Sequence, residues 1–257
     1  MKENRMVSVV SDIGSVKKVN QDAALYKEAE TEDGPIVFAA VCDGMGGLHD
    51  GEVASASVIT SLGKWFEGVL PGIMRKGFGY KDIIRSLNRV VVSEDEAITA
   101  YGEDVGDCGT TLAGILIYQG KYLCINIGDS RVYRLTDSDI QQLTHDQTVV
   151  QQMIDNGSLS IEEAKTHPER NVLLQCIGAG GDVVPEYTKG SCKMGDVFLV
   201  CSDGFRHTIT EDEMRDWFCP EEMDSEKKLN ERALEAVETC KERGERDNIS
   251  VLVCRMQ

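Results

Sequence analysis

Apolar residues fall into two rhythms along this chain. Short runs rich in β-branched residues predict strands at 6–11, 23–26, 37–42, 110–118, 121–127, 131–135, 197–202 and 249–254. A helical spacing marks 52–66, where Ala54, Val58, Leu62 and Trp65 share one face. It marks 80–100 through Ile83, Ile84, Leu87, Val90, Val91 and Ile98, and 226–240 through Leu229, Ala233, Ala236, Val237 and Cys240. Ser160 with Glu163, and Thr210 with Glu213, have the spacing of capping boxes, the second opening a short helix that ends near Phe218.

The connections complete the outline. Residues 68–80, with their glycines and a proline, and the acidic stretch 102–109 predict loops. Gln119-Gly120 and Gly128-Asp129-Ser130 are short enough to predict antiparallel hairpins on either side of 121–127. Residues 144–177 are weakly patterned and polar, and read as a mobile insertion on the sheet scaffold. Strands and helices come in runs rather than in alternation, which predicts an α+β fold with antiparallel sheets. No linker or repeat divides the chain, so one domain over 1–257 is expected.

Charge narrows the partners. A net charge of −17 over 257 residues argues against nucleic acid and against an anionic membrane surface, both of which need a basic face. No apolar run approaches the roughly 20 residues that span a bilayer. The start of the chain has no secretory pattern, so a cytoplasmic protein is expected. The nine cysteines form no close zinc or redox pair; Cys42, Cys124, Cys201 and Cys254 sit in apolar runs, where a thiol serves as a small hydrophobe.

The candidate chemistry lies where apolar runs meet carboxylates. The run 37–42 ends at Asp43, with Gly44, Gly46 and Gly47 close behind. Alone, that is an ordinary Asp-Gly turn. The pattern recurs, however: Asp129 follows 123–128, Asp203 follows 198–202, Asp247 precedes 249–254, and Asp22 stands beside an early strand. Carboxylates gathered at one end of a sheet cannot all stay ionised without cations. Two cations sharing a carboxylate suit in-line attack on phosphorus. Nucleophile elbows and P-loops are absent, and the four histidines lack zinc spacing. His49 and His207 lie near Asp43 and Asp203 in sequence and stay candidates, whereas His145 and His167 read as surface residues.

The stretches SDIGSVKKVNQD, VCDGMGGLHDGEVAS, CGTTLAGILI, NIGDSRVYRL, LTHD, NVLLQCIG, CSDGF and DNISVLV, in that order, resemble the metal-dependent type 2C protein serine/threonine phosphatases, in particular their bacterial branch. The resemblance runs almost end to end. It implies a four-layer αββα sandwich with a metal cluster at one end. Asp43 would bridge two Mn2+ or Mg2+ ions, the Gly44 carbonyl would join one of them, and Asp203 and Asp247 would complete the other. Asp22 would hold water on the metals, and Asp129 would share a third ion with Asp203.

The implied reaction is hydrolysis of phosphoserine or phosphothreonine by a metal-bridging hydroxide, with a flap within 144–177 beside the site. A monomer acting on phosphoproteins, opposite a cognate kinase, is the implied setting. Three departures stand out. Lys17, with Lys18 adjacent, replaces a phosphate-binding arginine and lacks its bidentate fork. Met45 replaces the histidine of eukaryotic members. His207 replaces an aspartate that contributes to the third ion in many members. The alternatives kept open are a catalytically weak phosphoprotein-binding or sensing module of the same fold, and a phosphatase for small esters.

Overall fold

The apolar runs at 37–42, 112–118, 197–201 and 249–254 are buried on both faces and therefore need cover on both sides. The computed structural model describes residues 5–46 and 50–256. In chain order the first half comprises β1 (Met6–Asp12), β2 (Asp22–Thr31), β3 (Gly34–Gly46), α1 (Gly51–Gly68), α2 (Leu70–Met74), α3 (Tyr80–Val105), β4 (Cys108–Thr110), β5 (Leu112–Tyr118) and β6 (Lys121–Ile127). Next come β7 (Arg131–Leu135), β8 (Ile140–Gln142), α4 (Val149–Asp155), α5 (Ile161–Ala164), β9 (Glu186–Ser191) and β10 (Val197–Cys201). The chain closes with α6 (Asp203–Arg206), α7 (Glu211–Phe218), α8 (Glu226–Glu242) and β11 (Ile249–Arg255).

Two antiparallel sheets result, one ordered β1-β11-β10-β7-β8 and the other β2-β3-β5-β6-β9, with β4 paired to β3. Their facing sides share a core that includes Val41, Ile115, Tyr122, Phe198, Val200 and Leu252. The outer face of the second sheet is covered by α1 and α3. Trp65 packs edge-on to Phe38 at 5.4 Å and donates its Nε1 proton to Ser86 Oγ at 2.9 Å, joining sheet, α1 and α3. The outer face of the first sheet is covered by α7 and α8 through Met214, Phe218, Leu229, Ala233 and Val237. Each such large apolar side chain contributes about 1.5–3 kcal/mol when fully buried. The αββα sandwich expected from the sequence is the fold observed, and both capping boxes form, at Ser160–Glu163 and Thr210–Glu213. Among the described residues no helix is long and apolar enough to cross a membrane.

Several expectations need correction. The 128–130 connection is not a hairpin. β6 pairs with β5 and β9, while β7 belongs to the other sheet between β10 and β8. Three extended residues reach about 10 Å, which is also the spacing of face-packed sheets, so a short link serves equally well to change sheets. Gly128 makes the step at φ 90°, in space where a Cβ would meet the Thr111 side chain at 2.7 Å. The link at Gln119-Gly120 is the hairpin expected, with both residues at positive φ.

The chain also does not turn at Gly44. β3 continues to Gly46, where β4 offers a partner (Gly44↔Thr110, Met45↔Gly109). A short helix, α2, with Pro71 in its first turn, lies inside the expected 68–80 loop. The expected 102–109 loop is helical to Val105, and ends where Gly106, at φ 109°, donates its N–H to the Gly102 carbonyl at 2.9 Å. Strands β8 and β9 carry no strong apolar pattern because they lie at sheet edges. The 144–177 segment is tied to the end of β4 by the bridge Thr110↔Ile177, and is folded on itself by the bridge Thr148↔Leu173.

Candidate metal centre at one end of the sandwich

The sheet registers bring the strand-end carboxylates to one edge. Asp22 and Asp43 face each other directly across β2 and β3. On the other sheet, Cys201 pairs with Val251 and with Arg131, so Asp203 (after β10), Asp247 (before β11) and Asp129 (before β7) leave at a common end. Ser202 joins the two groups by donating its hydroxyl to Asp22 Oδ2 at 2.8 Å. The backbone of Asp43 is held by two threonines: its N–H donates to Thr111 Oγ1 at 3.0 Å, and its carbonyl accepts from Thr110 Oγ1 and the Thr111 N–H, both at 2.9 Å.

Crowding of buried negative charge sets the electrostatics. Burial, then the charges of Asp22, Asp203, Asp129 and Asp247, pushes the Asp43 carboxyl well above its ordinary range. Burial also raises Asp22 to about 7, against the opposing effect of the Ser250 and Ser202 hydroxyls. Asp22 Oδ1 and Asp203 Oδ1 are buried with no hydrogen-bond partner. An oxygen left unpartnered in this way calls for a cation or a water.

Among the described residues no three His, Cys, Asp or Glu side chains close on a single point. The oxygen donors nevertheless fit magnesium or manganese, since magnesium keeps several waters and commonly takes only one or two carboxylates. Gly44 is packed without room for a side chain: a Cβ would lie 2.1 Å from the Gly51 carbonyl oxygen and 2.5 Å from that of Gln21. The glycine's use here is close approach within a strand, not a turn.

Lys17 is drawn to the same edge. Its Nζ lies 2.6 Å from Asp247 Oδ1. Burial works against its charge, but the Asp247 bond and the fields of Asp43 and Asp203 outweigh it and raise its pKa. The loop carrying Lys17 is clasped by Asn248, whose Nδ2 donates to the carbonyls of Ile13 and Val19 at 2.9 and 3.0 Å. Lys18 is exposed. Met45 pairs with Gly109 in the β3–β4 ladder. His207 lies 3.7 Å from Asp203 Oδ2 and 3.8 Å from Glu245 Oε2, so it borders the centre. His145 contacts Asp155 on the surface at 2.7 Å, as a surface histidine should. His49 lies outside the described residues.

Sequence reasoning missed the residues that hold these groups: Ser202, Thr110, Thr111, Asn248 and Arg206. Ser202 and Asn248 adjoin the candidates Asp203 and Asp247, Thr110 and Thr111 lie in CGTTLAGILI, and Arg206 directly follows CSDGF. Arg206 reaches a partner that no local pattern marks. Its Nη2 lies 2.6 Å from Asp129 Oδ2 and its Nε donates to the Asp129 carbonyl at 3.1 Å, with Asp146 3.6 Å away. Arg131 in turn grips Asp146 through Nε and Nη2 at 2.8 and 2.7 Å. Burial raises the Asp129 carboxyl to about 6, with Arg206 acting in the opposite direction.

Residues 14–237 match the family described as protein phosphatase 2C. The chain is 33% identical over 247 residues to serine/threonine protein phosphatase PstP of Mycobacterium tuberculosis, covering 95% of this chain and 43% of that protein. It is 30% identical to serine/threonine phosphatase stp of Listeria monocytogenes, covering 95% of this chain and 92% of that one. Its fold superposes on a solved structure of the PstP catalytic domain in complex with 2 manganese ions with a TM-score of 0.77, at 29% identity and covering 98% and 97% of the two chains.

Proposed function

Because the chain belongs to the protein phosphatase 2C family, in its bacterial serine/threonine phosphatase branch, we propose that it removes phosphate from phosphoserine and phosphothreonine in proteins. The observation that carries this reading is the gathering of Asp22, Asp43, Asp203 and Asp247 at one end of the sandwich, with buried carboxylate oxygens left unpartnered on Asp22 and Asp203.

Asp43, the Gly44 carbonyl, Asp203 and Asp247 hold two divalent cations. When bound, these supply Lewis acidity to the phosphoryl oxygens and make water acidic enough to yield the nucleophile for in-line attack. Either manganese or magnesium suits an all-oxygen site; the manganese in the PstP structure supports the former. Asp22, braced by Ser202, orients water at the site. Lys17 offers one ammonium to the substrate phosphate, exchanging its bond to Asp247 for the incoming anion. Residues 144–177, beside Thr110 and Gly128, form the flap. A single-domain, cytoplasmic monomer opposing a serine/threonine kinase completes the reading.

The decisive experiment is phosphate release from a phosphothreonine peptide, with and without manganese, by the wild type and by Asp203→Asn. Metal-dependent release lost in the variant is expected. A folded, metal-loaded wild type that releases none would overturn the assignment. The rival, a weak phosphoprotein-binding module, draws on the Lys17–Asp247 bond, in which the phosphate-seeking cation is already engaged. It expects peptide binding with negligible turnover at saturating manganese.

A further inference from the structure

The third-ion position implied by Asp129 and Asp203 does not fit a metal in this chain. Asp129 already has a cation. Arg206, one helical turn beyond Asp203 on α6, covers both the carboxylate and the carbonyl of Asp129, at 2.6 and 3.1 Å. The pair is deeply buried, with side-chain exposures of 11% and 8%. Lys17 is different: it is 39% exposed on its contact with Asp247, so it can swing aside into water when an ion or phosphate arrives. Arg206 has no such exit. Its guanidinium does not lose its proton, and a divalent ion at the same carboxylate would meet a fixed positive charge in a site of low dielectric. Moving Arg206 away would strand a buried charge, which is strongly unfavourable. The network behind it opposes such movement, because Asp146, 3.6 Å from Arg206, is itself held through two nitrogens by Arg131.

We propose that Arg206 is this chain's built-in third cation: it replaces the weaker third metal ion at Asp129, leaving a centre that takes two ions and no more. Arg206 is a positioning residue on this view. It neutralises Asp129 and fixes the link between the sheets at Gly128–Ser130, and does not touch the substrate. His207, beside Asp203 rather than an additional carboxylate, is consistent with a site that has given up its third ion.

The inference rests on the two-cation reading above, and ion counting separates the two. Manganese binding to the full chain is measured by equilibrium dialysis and calorimetry up to millimolar concentrations. Two ions are expected for the wild type and still two for Asp129→Asn. Arg206→Met should gain a third ion, with affinity at least tenfold above any residual wild-type binding, and Arg206→Met combined with Asp129→Asn should return to two. A wild type that binds three ions, one lost in Asp129→Asn, overturns the proposal and leaves the phosphatase assignment intact. A folded Arg206→Met that stays at two ions also overturns it. A wild type that binds no ion overturns the assignment as well. Should Arg206→Met not fold, the wild type and Asp129→Asn decide the question alone, because neither count depends on that variant.

Discussion

Ser202 donates its hydroxyl to Asp22 across the gap between the two sheets, at 2.8 Å, and the same oxygen accepts the Ser250 N–H at 3.0 Å. One side chain thereby joins β2 to β10 and β11 at the end where the candidate carboxylates meet. Ser202→Ala would leave a buried carboxylate oxygen and a buried amide without partners. The expected loss of stability is about 1–3 kcal/mol, read by urea unfolding. Manganese affinity should fall about tenfold, since residues that brace metal ligands commonly have that effect. Unchanged manganese dependence would show that Ser202 does not hold the site.

Gly44 offers a steric test with an internal control. An alanine at Gly44 would press on two backbone carbonyls and is expected to destabilise the protein by about 1–3 kcal/mol or more. Gly68, near the end of α1, has nothing within 4 Å of the space a Cβ would fill. Gly68→Ala should instead stabilise by about 0.4–1 kcal/mol through the unfolded chain. Thermal unfolding of the two variants should shift in opposite directions.

Lys17 makes a prediction about substrate binding. Lys17→Ala should raise KM for a phosphopeptide about tenfold or more with a smaller change in kcat, as expected for loss of a ground-state phosphate contact. Lys17→Arg should lower KM below the wild-type value by restoring a planar bidentate donor. Steady-state kinetics at saturating manganese distinguish these outcomes. A KM for Lys17→Ala equal to that of the wild type would remove Lys17 from the phosphate site.

Away from the centre, Glu213 links the start of α7 to the segment after α8. Hydrogen bonds from Arg243 first, and then from the Thr210 N–H, lower its pKa from 4.5 to about 2. The folded chain therefore binds this proton less tightly than the unfolded chain. The stabilisation is complete above pH 4.5 and is lost as pH falls towards 2. Urea unfolding across that window should show the loss, and Arg243→Ala should reduce the slope there while leaving the α7 capping box in place.

Local sequence pattern was enough to set the α+β class, most of the elements, the caps and the identity of the carboxylates. All of these are local: an apolar run, a helical stripe or a Ser-x-x-Glu spacing acts over a few residues and carries its own physical reason. Asp43, Asp203 and Asp247 were legible because each interrupts or borders an apolar run. What the tertiary structure decided is long-range. Nothing in Gly128-Asp129-Ser130 distinguishes a hairpin from a step between sheets; the choice was made by β9 and β10, which occupy the neighbouring edges. The same step placed Asp129 within reach of Arg206, 77 residues away. Edge strands β8 and β9, half in water, carry no apolar alternation for a pattern to reveal. Ser202 resembles any serine at a strand end until the second sheet brings Asp22 against it. Local propensity chose the parts, and the packing of two sheets face to face decided which polar groups had to satisfy one another.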